Sequence, residues 1–262
     1  MALYHFNAKL VKRSEGRLAT QVAAYKLGLP INCQRTGIKY NYAHNSRVMA
    51  QGIEASEDAP SWVFEPQRLW NAVEGREVRK NAQVLRDYEL ALPTELNTAT
   101  HVKMVRQFAR SIVEEFSVVV GWGIHKPRDY TDERSITAFL LISTRALEGG
   151  QFTRKVREMS VRPSALIIIE AHRELWAKIQ NIELEAAGFD ERVDHRSLKA
   201  QRAEALAMGD MKRATMLDRE PTRKISQVEH RKLKTELLRL KRLKAQGEVI
   251  ASDKSELPGS GD

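Results

Sequence analysis

The chain holds a single cysteine, Cys33, so it can form neither an intramolecular disulfide nor a cysteine-based zinc site, and a reduced, cytoplasmic setting suits it. It has no apolar run near the ~20 residues that a membrane span needs, since the stretches at 118–120 and 165–169 are far shorter. Residues 1–10 alternate like a strand and do not read as a signal peptide, so no membrane partner is expected. There is no glycine-rich phosphate loop, no regular strand–helix alternation and no internal repeat. These absences argue against a doubly wound nucleotide-binding sheet and against a repeat architecture. What the chain does have is 262 residues, 42% of them hydrophobic, enough for one packed domain or one domain with an appendage.

Its charge is uneven. The formal net charge is +9, and residues 192–247 carry 16 Lys/Arg against 7 Asp/Glu, which accounts for all of it. A balanced body with a basic C-terminal arm suits a polyanionic partner, because Lys and Arg release condensed counterions from phosphates. Charge alone serves equally well as a solvated helix surface.

Local patterns suggest the elements. Leu3, His5 and Phe6 have strand character, and residues 19–27 follow a helical period through Ala19, Val22, Ala23 and Leu27, ended by Gly28 and Pro30. Residues 31–64 read as a long irregular loop, of the kind that is functional or mobile. Pro66 starts a helix through Leu69, Trp70 and Val73; residues 84–92 read as a strand stopped by Pro93. Asn97 or Thr98 caps a helix with Val102, Val105, Phe108, Ala109, Ile112 and Phe116 on one face. Strands follow at 118–125 and 135–143, then a long helix capped by Ser164 that stops at Gly188. Helices at 197–208 and 227–246, the latter with a stripe of Leu233, Leu237, Leu240 and Leu243, and a polar, disordered 252–262 complete the chain. The order favours an α+β fold, an antiparallel sheet covered by helices. The expected organisation is a main domain over 1–196, a basic helical arm over 197–247 and a disordered tail over 248–262.

Tyr25, off the apolar stripe of its helix, reads by itself as a structural tyrosine at the edge of a core. Its surroundings change that reading. Ala2-Leu3-Tyr4-His5-Phe6, Arg13-Ser14-Glu15-Gly16-Arg17 and Ala23-Ala24-Tyr25-Lys26-Leu27-Gly28 resemble the N-terminus of the MobA/MobL-type plasmid mobilisation relaxases. Further blocks follow in the family's order: Leu69-Trp70-Asn71-Ala72-Val73-Glu74, Tyr88-Glu89-Leu90-Ala91-Leu92-Pro93, Ile124-His125-Lys126-Pro127, and Gly188-Phe189 with 192–198. The likeness runs for about 190 residues.

The resemblance implies a five-stranded antiparallel relaxase sheet flanked by helices. It also implies a chemistry in which Tyr25 attacks single-stranded DNA at a transfer origin to give a 5′-phosphotyrosyl link. It implies Mg2+ or Mn2+ held by one strand-end histidine and a His-x-His pair on the next strand, where i and i+2 share a face. His125 matches the first ligand, but Thr137 and Phe139 stand where the pair belongs, and phenylalanine has no ligand atom. Asp132 and Glu133 are nearby oxygen donors. Glu74 and Glu89 are candidates for orienting the tyrosine or the histidine, as outer carboxylates do. Arg13, Arg17, Lys26, Arg128, Arg134 and Arg145 are candidate phosphate contacts, and Tyr40, Tyr42 and Trp62 candidate stacking platforms. Accessory mobilisation proteins and a coupling protein are the implied protein partners, with unwinding supplied by another protein. Two readings remain side by side: a relaxase with weakened metal-dependent nicking, and a non-cleaving single-stranded-DNA-binding relative. A third, a basic helical scaffold acting through its arm, leaves the ordered motifs unexplained.

Overall fold

Three strands rich in apolar residues, β5 (Gln83–Ala91), β6 (Val120–His125) and β7 (Thr137–Ser143), form the centre of one sheet. β1 (Phe6–Lys12) pairs with β5 at one edge and β4 (Val48–Glu54) with β6 at the other, giving the order β1-β5-β7-β6-β4. Every neighbouring pair is antiparallel, so the protein is α+β with a five-stranded antiparallel sheet. The computed structural model describes residues 4–127, 136–220, 232 and 235–242.

Helices cover both faces. On one, α3 (Thr98–Phe116) and α4 (Ser164–Ala186) set Phe108, Ile112, Trp176 and Ile179 against Tyr88, Leu90, Trp122, Ile124 and Leu140. On the other, α1 (Ala19–Leu27) and α2 (Pro66–Arg76) set Ala23, Leu27, Leu69 and Trp70 against Val119 and Leu141. Alternation along each strand divides the side chains between these two cores. The second face carries the candidate residues: Asp87, Glu89, Thr137, Phe139 and His125 occupy the alternate positions to those packed under α3 and α4.

The stretch read as an irregular loop is more ordered than its composition suggests. It contains β2 (Pro30–Asn32) and β3 (Lys39–Asn41), a small antiparallel pair, besides the edge strand β4. β4 is poor in strand-forming residues, and its extended shape is set by pairing with β6. A second hairpin, β8 (Arg145–Glu148) and β9 (Gln151–Lys155), turns at Gly149-Gly150, both at positive φ. Asn97 caps α3 by accepting from the Thr100 amide. Ser164 does not cap α4; Pro163 holds that place, and the Ser164 hydroxyl donates back to the carbonyls of Glu158 and Val161.

The contacts divide the chain into two units, Met1–Arg196 and Ser197–Asp262. In the second, Ser197 caps α5 (Leu198–Ala207), which precedes α6 (Met211–Leu217), and Ala205 and Ala214 are buried. Residues 232 and 235–242 are helical, with Leu237 and Leu240 exposed; Leu233, Leu243 and the segment 243–262 lie outside the described residues. Among the described residues, no helix is long and apolar enough to cross a membrane.

Candidate active site

The site is organised by how α1 is fixed at both ends. Leu18, its N-cap, offers no side-chain acceptor, and Glu74 of α2 supplies one instead: its Oε2 accepts the Ala19 amide at 2.7 Å. A carboxylate there also meets the positive end of the helix dipole. Glu74 is 1% exposed, and its other oxygen receives Nε and Nη2 of Arg13. Glu74 therefore acts on Tyr25 only through the helix that it caps. The rest of the Arg13 guanidinium is bound to the carbonyls of Glu77, Arg79 and Glu74. Arg13 is a clamp between β1 and α2, and no part of it is left to hold a phosphate.

At the other end Gly28, at φ 65°, terminates α1 in the left-handed region that glycine tolerates best. The last turn lies directly on β6. A Cβ at Gly123 would stand 2.5 Å from the Lys26 carbonyl oxygen, so only glycine permits this approach. That same carbonyl accepts a hydrogen bond from His125 Nε2 at 2.6 Å. A carbonyl oxygen only accepts, so Nε2 carries the proton.

From this turn the Lys26 side chain crosses the sheet toward β5. Its ammonium stands 4.1 Å from the centre of the Phe139 ring and donates to both oxygens of Asp87, at 2.5 and 2.6 Å. Both partners are almost fully buried. Desolvation draws the Lys26 pKa below its ordinary value, opposed by Asp87 and Glu89, while Arg17 adds to the lowering. A desolvated cation on an aromatic face gains roughly 2 kcal/mol or more. Lys26, offered by the sequence as a phosphate contact, is instead a buried part of the centre. The ring of Phe139 also meets His125 edge to face, 4.9 Å between centres. Thr137 pairs with His125 across β6 and β7, and Glu89 with Phe139 across β5 and β7. Glu89 thus belongs to this cluster, which Glu74 does not.

Tyr25 sits half-buried on the last turn of α1, its ring edge-on to Tyr42 at 5.3 Å. Tyr42 follows β3, so part of the region read as a loop does reach the tyrosine. Trp62 packs on Phe152 and Tyr40 against the second core, so both are packing residues. Arg17 is half-buried and makes no hydrogen bond or ion pair among the described residues. Arg145 lies beyond the far end of β7, about 20 Å of strand from Thr137, where Glu77 and the Thr153 carbonyl hold its guanidinium. It is no part of this site. Arg128, Asp132, Glu133 and Arg134 lie outside the described residues. Asp87 was missed in the sequence, although its two-residue spacing from Glu89 along a strand was a usable signal. Among the described residues no three His, Cys, Asp or Glu side chains converge to hold a metal ion.

This frame, a tyrosine-bearing helix end pinned to an antiparallel sheet, coincides with the region matched by a family model. The match runs over residues 17–214, and the chain belongs to the MobA/MobL family. It is 28% identical over 223 residues to mobilization protein MobL of Acidithiobacillus ferridurans, covering 75% of this chain and 58% of that one. With mobilization protein A of Escherichia coli it shares 30% over 223 residues, covering 79% and 29% respectively. The chain therefore spans less than two thirds of the length of these relatives. A solved structure described under the molecular basis of vancomycin resistance transfer in Staphylococcus aureus superposes with a TM-score of 0.66 at 27% identity. That alignment covers 75% of this chain and 100% of the other.

Proposed function

We propose that the chain is a relaxase of plasmid mobilisation that engages single-stranded DNA at a transfer origin and joins its 5′ phosphate through Tyr25. One observation carries the reading. Tyr25 is half-exposed on the only turn of α1 that both His125 and the Lys26–Asp87 pair tie to the sheet. A nucleophile needs such fixed placement more than it needs any single contact. In the reaction the Tyr25 Oη loses its proton and attacks phosphorus, and the bond from phosphorus to the 3′ oxygen breaks. The 3′ oxygen then takes up a proton as a free hydroxyl; the reverse steps rejoin the strand. Arg17 is a described cation beside the cluster that can meet a phosphate, as can the exposed Lys126 next to His125, and the basic arm adds further contacts. Accessory mobilisation proteins and a coupling protein complete the proposed setting.

The donor set does not fit the divalent ion that the resemblance implies. Phe139 has no ligand atom, Thr137 is a weak donor, and His125 Nε2 is already protonated toward a carbonyl. Losing one major electrostatic element of such a site costs on the order of 10²–10³ in rate. Cleavage is therefore slow, and the second reading, a non-cleaving DNA-binding relative, draws on the same Phe139 and His125. An origin-containing oligonucleotide incubated with the protein separates the two. The proposal expects a slowly formed covalent adduct that is absent in Tyr25→Phe. Tight binding with no adduct over hours would establish the non-cleaving reading.

A further inference from the structure

We infer that this centre takes no divalent ion because it carries its own cation, the Lys26 ammonium, which Phe139 and Asp87 hold over the sheet. The inference rests on the family reading, which marks 125, 137 and 139 as ligand positions. It goes further by assigning Lys26, Asp87 and Phe139 a joint role.

Three observations converge. First, His125 presents Nε2–H to the Lys26 carbonyl at 2.6 Å. Turning that nitrogen into a metal ligand would set its lone pair against the carbonyl's own, so a metal bond through this nitrogen requires the turn of α1, which the Lys26 ammonium anchors, to withdraw its carbonyl. Second, the position that should complete the ligand set holds an aromatic ring, with His125 against it edge to face and the ammonium over its face at 4.1 Å. An aromatic face is attractive to a desolvated ammonium and offers nothing to an ion that needs oxygen or nitrogen donors. Third, Asp87 has both oxygens on that ammonium at 2.5 and 2.6 Å, and Glu89 also acts on it. A second cation entering here would compete with Lys26 for Asp87 and Glu89 and then remain beside a positive charge.

Phe139 and Lys26 thus act as a matched pair. With histidine at 139 the ammonium would compete with a metal; with phenylalanine and no lysine Asp87 would be left without its cation. Lys26 is a positioning residue as well as a charge, since its carbonyl receives His125 while its ammonium anchors the turn that bears Tyr25. Binding of single-stranded DNA, and any chemistry at Tyr25, is then indifferent to divalent ions.

The test is a Mn2+ titration of the full chain after EDTA treatment, read by the electron paramagnetic resonance of free Mn2+. The wild type should take up no stoichiometric Mn2+ at concentrations up to about 1 mM, well beyond what a three-histidine site needs. Thr137→His with Phe139→His should still exclude it, and so should the same pair carrying Lys26→Arg. The pair carrying Lys26→Met should admit one ion, at least about tenfold more tightly. One Mn2+ per wild-type chain at micromolar affinity would overturn the inference. Equal Mn2+ affinity with and without the lysine in the two-histidine background would overturn it as well. Should the methionine variant fail to fold by circular dichroism, the wild-type titration still decides. Anisotropy of a labelled single strand, with EDTA and with Mn2+, is run in parallel and should give the same affinity. A protein that binds no DNA in either condition would fail the relaxase reading, and the Mn2+ titration would still stand.

Discussion

Glu74 and Asp87 are each buried against a single basic side chain, and each pair fixes one end of α1. Removing one member of a buried ion pair strands the other, which typically costs about 3–5 kcal/mol. Glu74→Ala should therefore lower unfolding stability in urea by about 3 kcal/mol. It should also slow adduct formation although Glu74 is remote from the proposed phosphate, because the Ala19 amide loses its acceptor and Arg13 its carboxylate. Stability within about 0.5 kcal/mol of wild type would show that the capping bond carries no weight. A different buried group governs the response to acid. His172 lies among Tyr88, Phe108 and Phe116, bonded to the Tyr88 hydroxyl at 3.1 Å, and burial lowers its pKa from 6.5 to about 4. Below pH 6.5 the unfolded chain binds a proton that the folded one refuses. Stability is therefore intact above pH 6.5 and is lost as pH falls toward 4, by up to about 3 kcal/mol. Urea titrations of wild type and His172→Gln at pH 7 and 4.5 should show the variant losing less. Equal losses would place the acid sensitivity elsewhere.

At the scale of elements, the approach of α1 to β6 depends on one missing methyl group. Gly123→Ala drives Cβ against the Lys26 carbonyl, a backbone atom that cannot rotate away. Overpacking of this kind costs about 1–3 kcal/mol, and here it also lifts the helix end from His125. Gly75 in α2 has open space around its Cβ and no positive φ, so Gly75→Ala should be neutral or stabilise by up to about 1 kcal/mol. The thermal melt of Gly123→Ala should fall while that of Gly75→Ala holds or rises; a matching fall in both would refute the steric account. The same distinction between local and distant causes decides what was legible in the sequence. α3 could be read because Asn97 and its apolar stripe lie within twenty residues of one another. β4 could not, since its weak strand formers are ordered by β6 some seventy residues later. The β8–β9 hairpin carries a local sign, the Gly149-Gly150 turn. In the site, the segments bearing Tyr25, Glu89 and His125 were legible from motif order. The fates of Arg13, Lys26 and Arg145 were not: a sequence displays cations, but their carboxylates, Glu74, Asp87 and Glu77, come from 61 to 68 positions away.

Over the whole molecule, that pairing of cations with carboxylates shifts the burden of the proposed DNA contact. Arg13, Lys26 and Arg145 are neutralised within Met1–Arg196, whereas 16 of the chain's 43 Lys/Arg lie in residues 192–247 against 7 acids. Affinity for a single strand should then come mainly from this basic segment and Arg17, and should be electrostatic in character. Each phosphate contact lowers log affinity by ~0.7 per decade of salt. Replacing Lys199, Lys212, Arg213 and Arg219 together by glutamine should weaken binding at low salt and flatten the slope by about 2–3. None of these four residues is buried, so the melting temperature should hold. Arg17→Gln should reduce the slope by ~0.7 and leave the arm's share intact. Anisotropy titrations from about 50 to 300 mM salt measure both. If the fourfold change left the slope unaltered while Arg17→Gln abolished binding, the strand would be held by the sheet unit alone, and the basic segment would be a solvated helical surface.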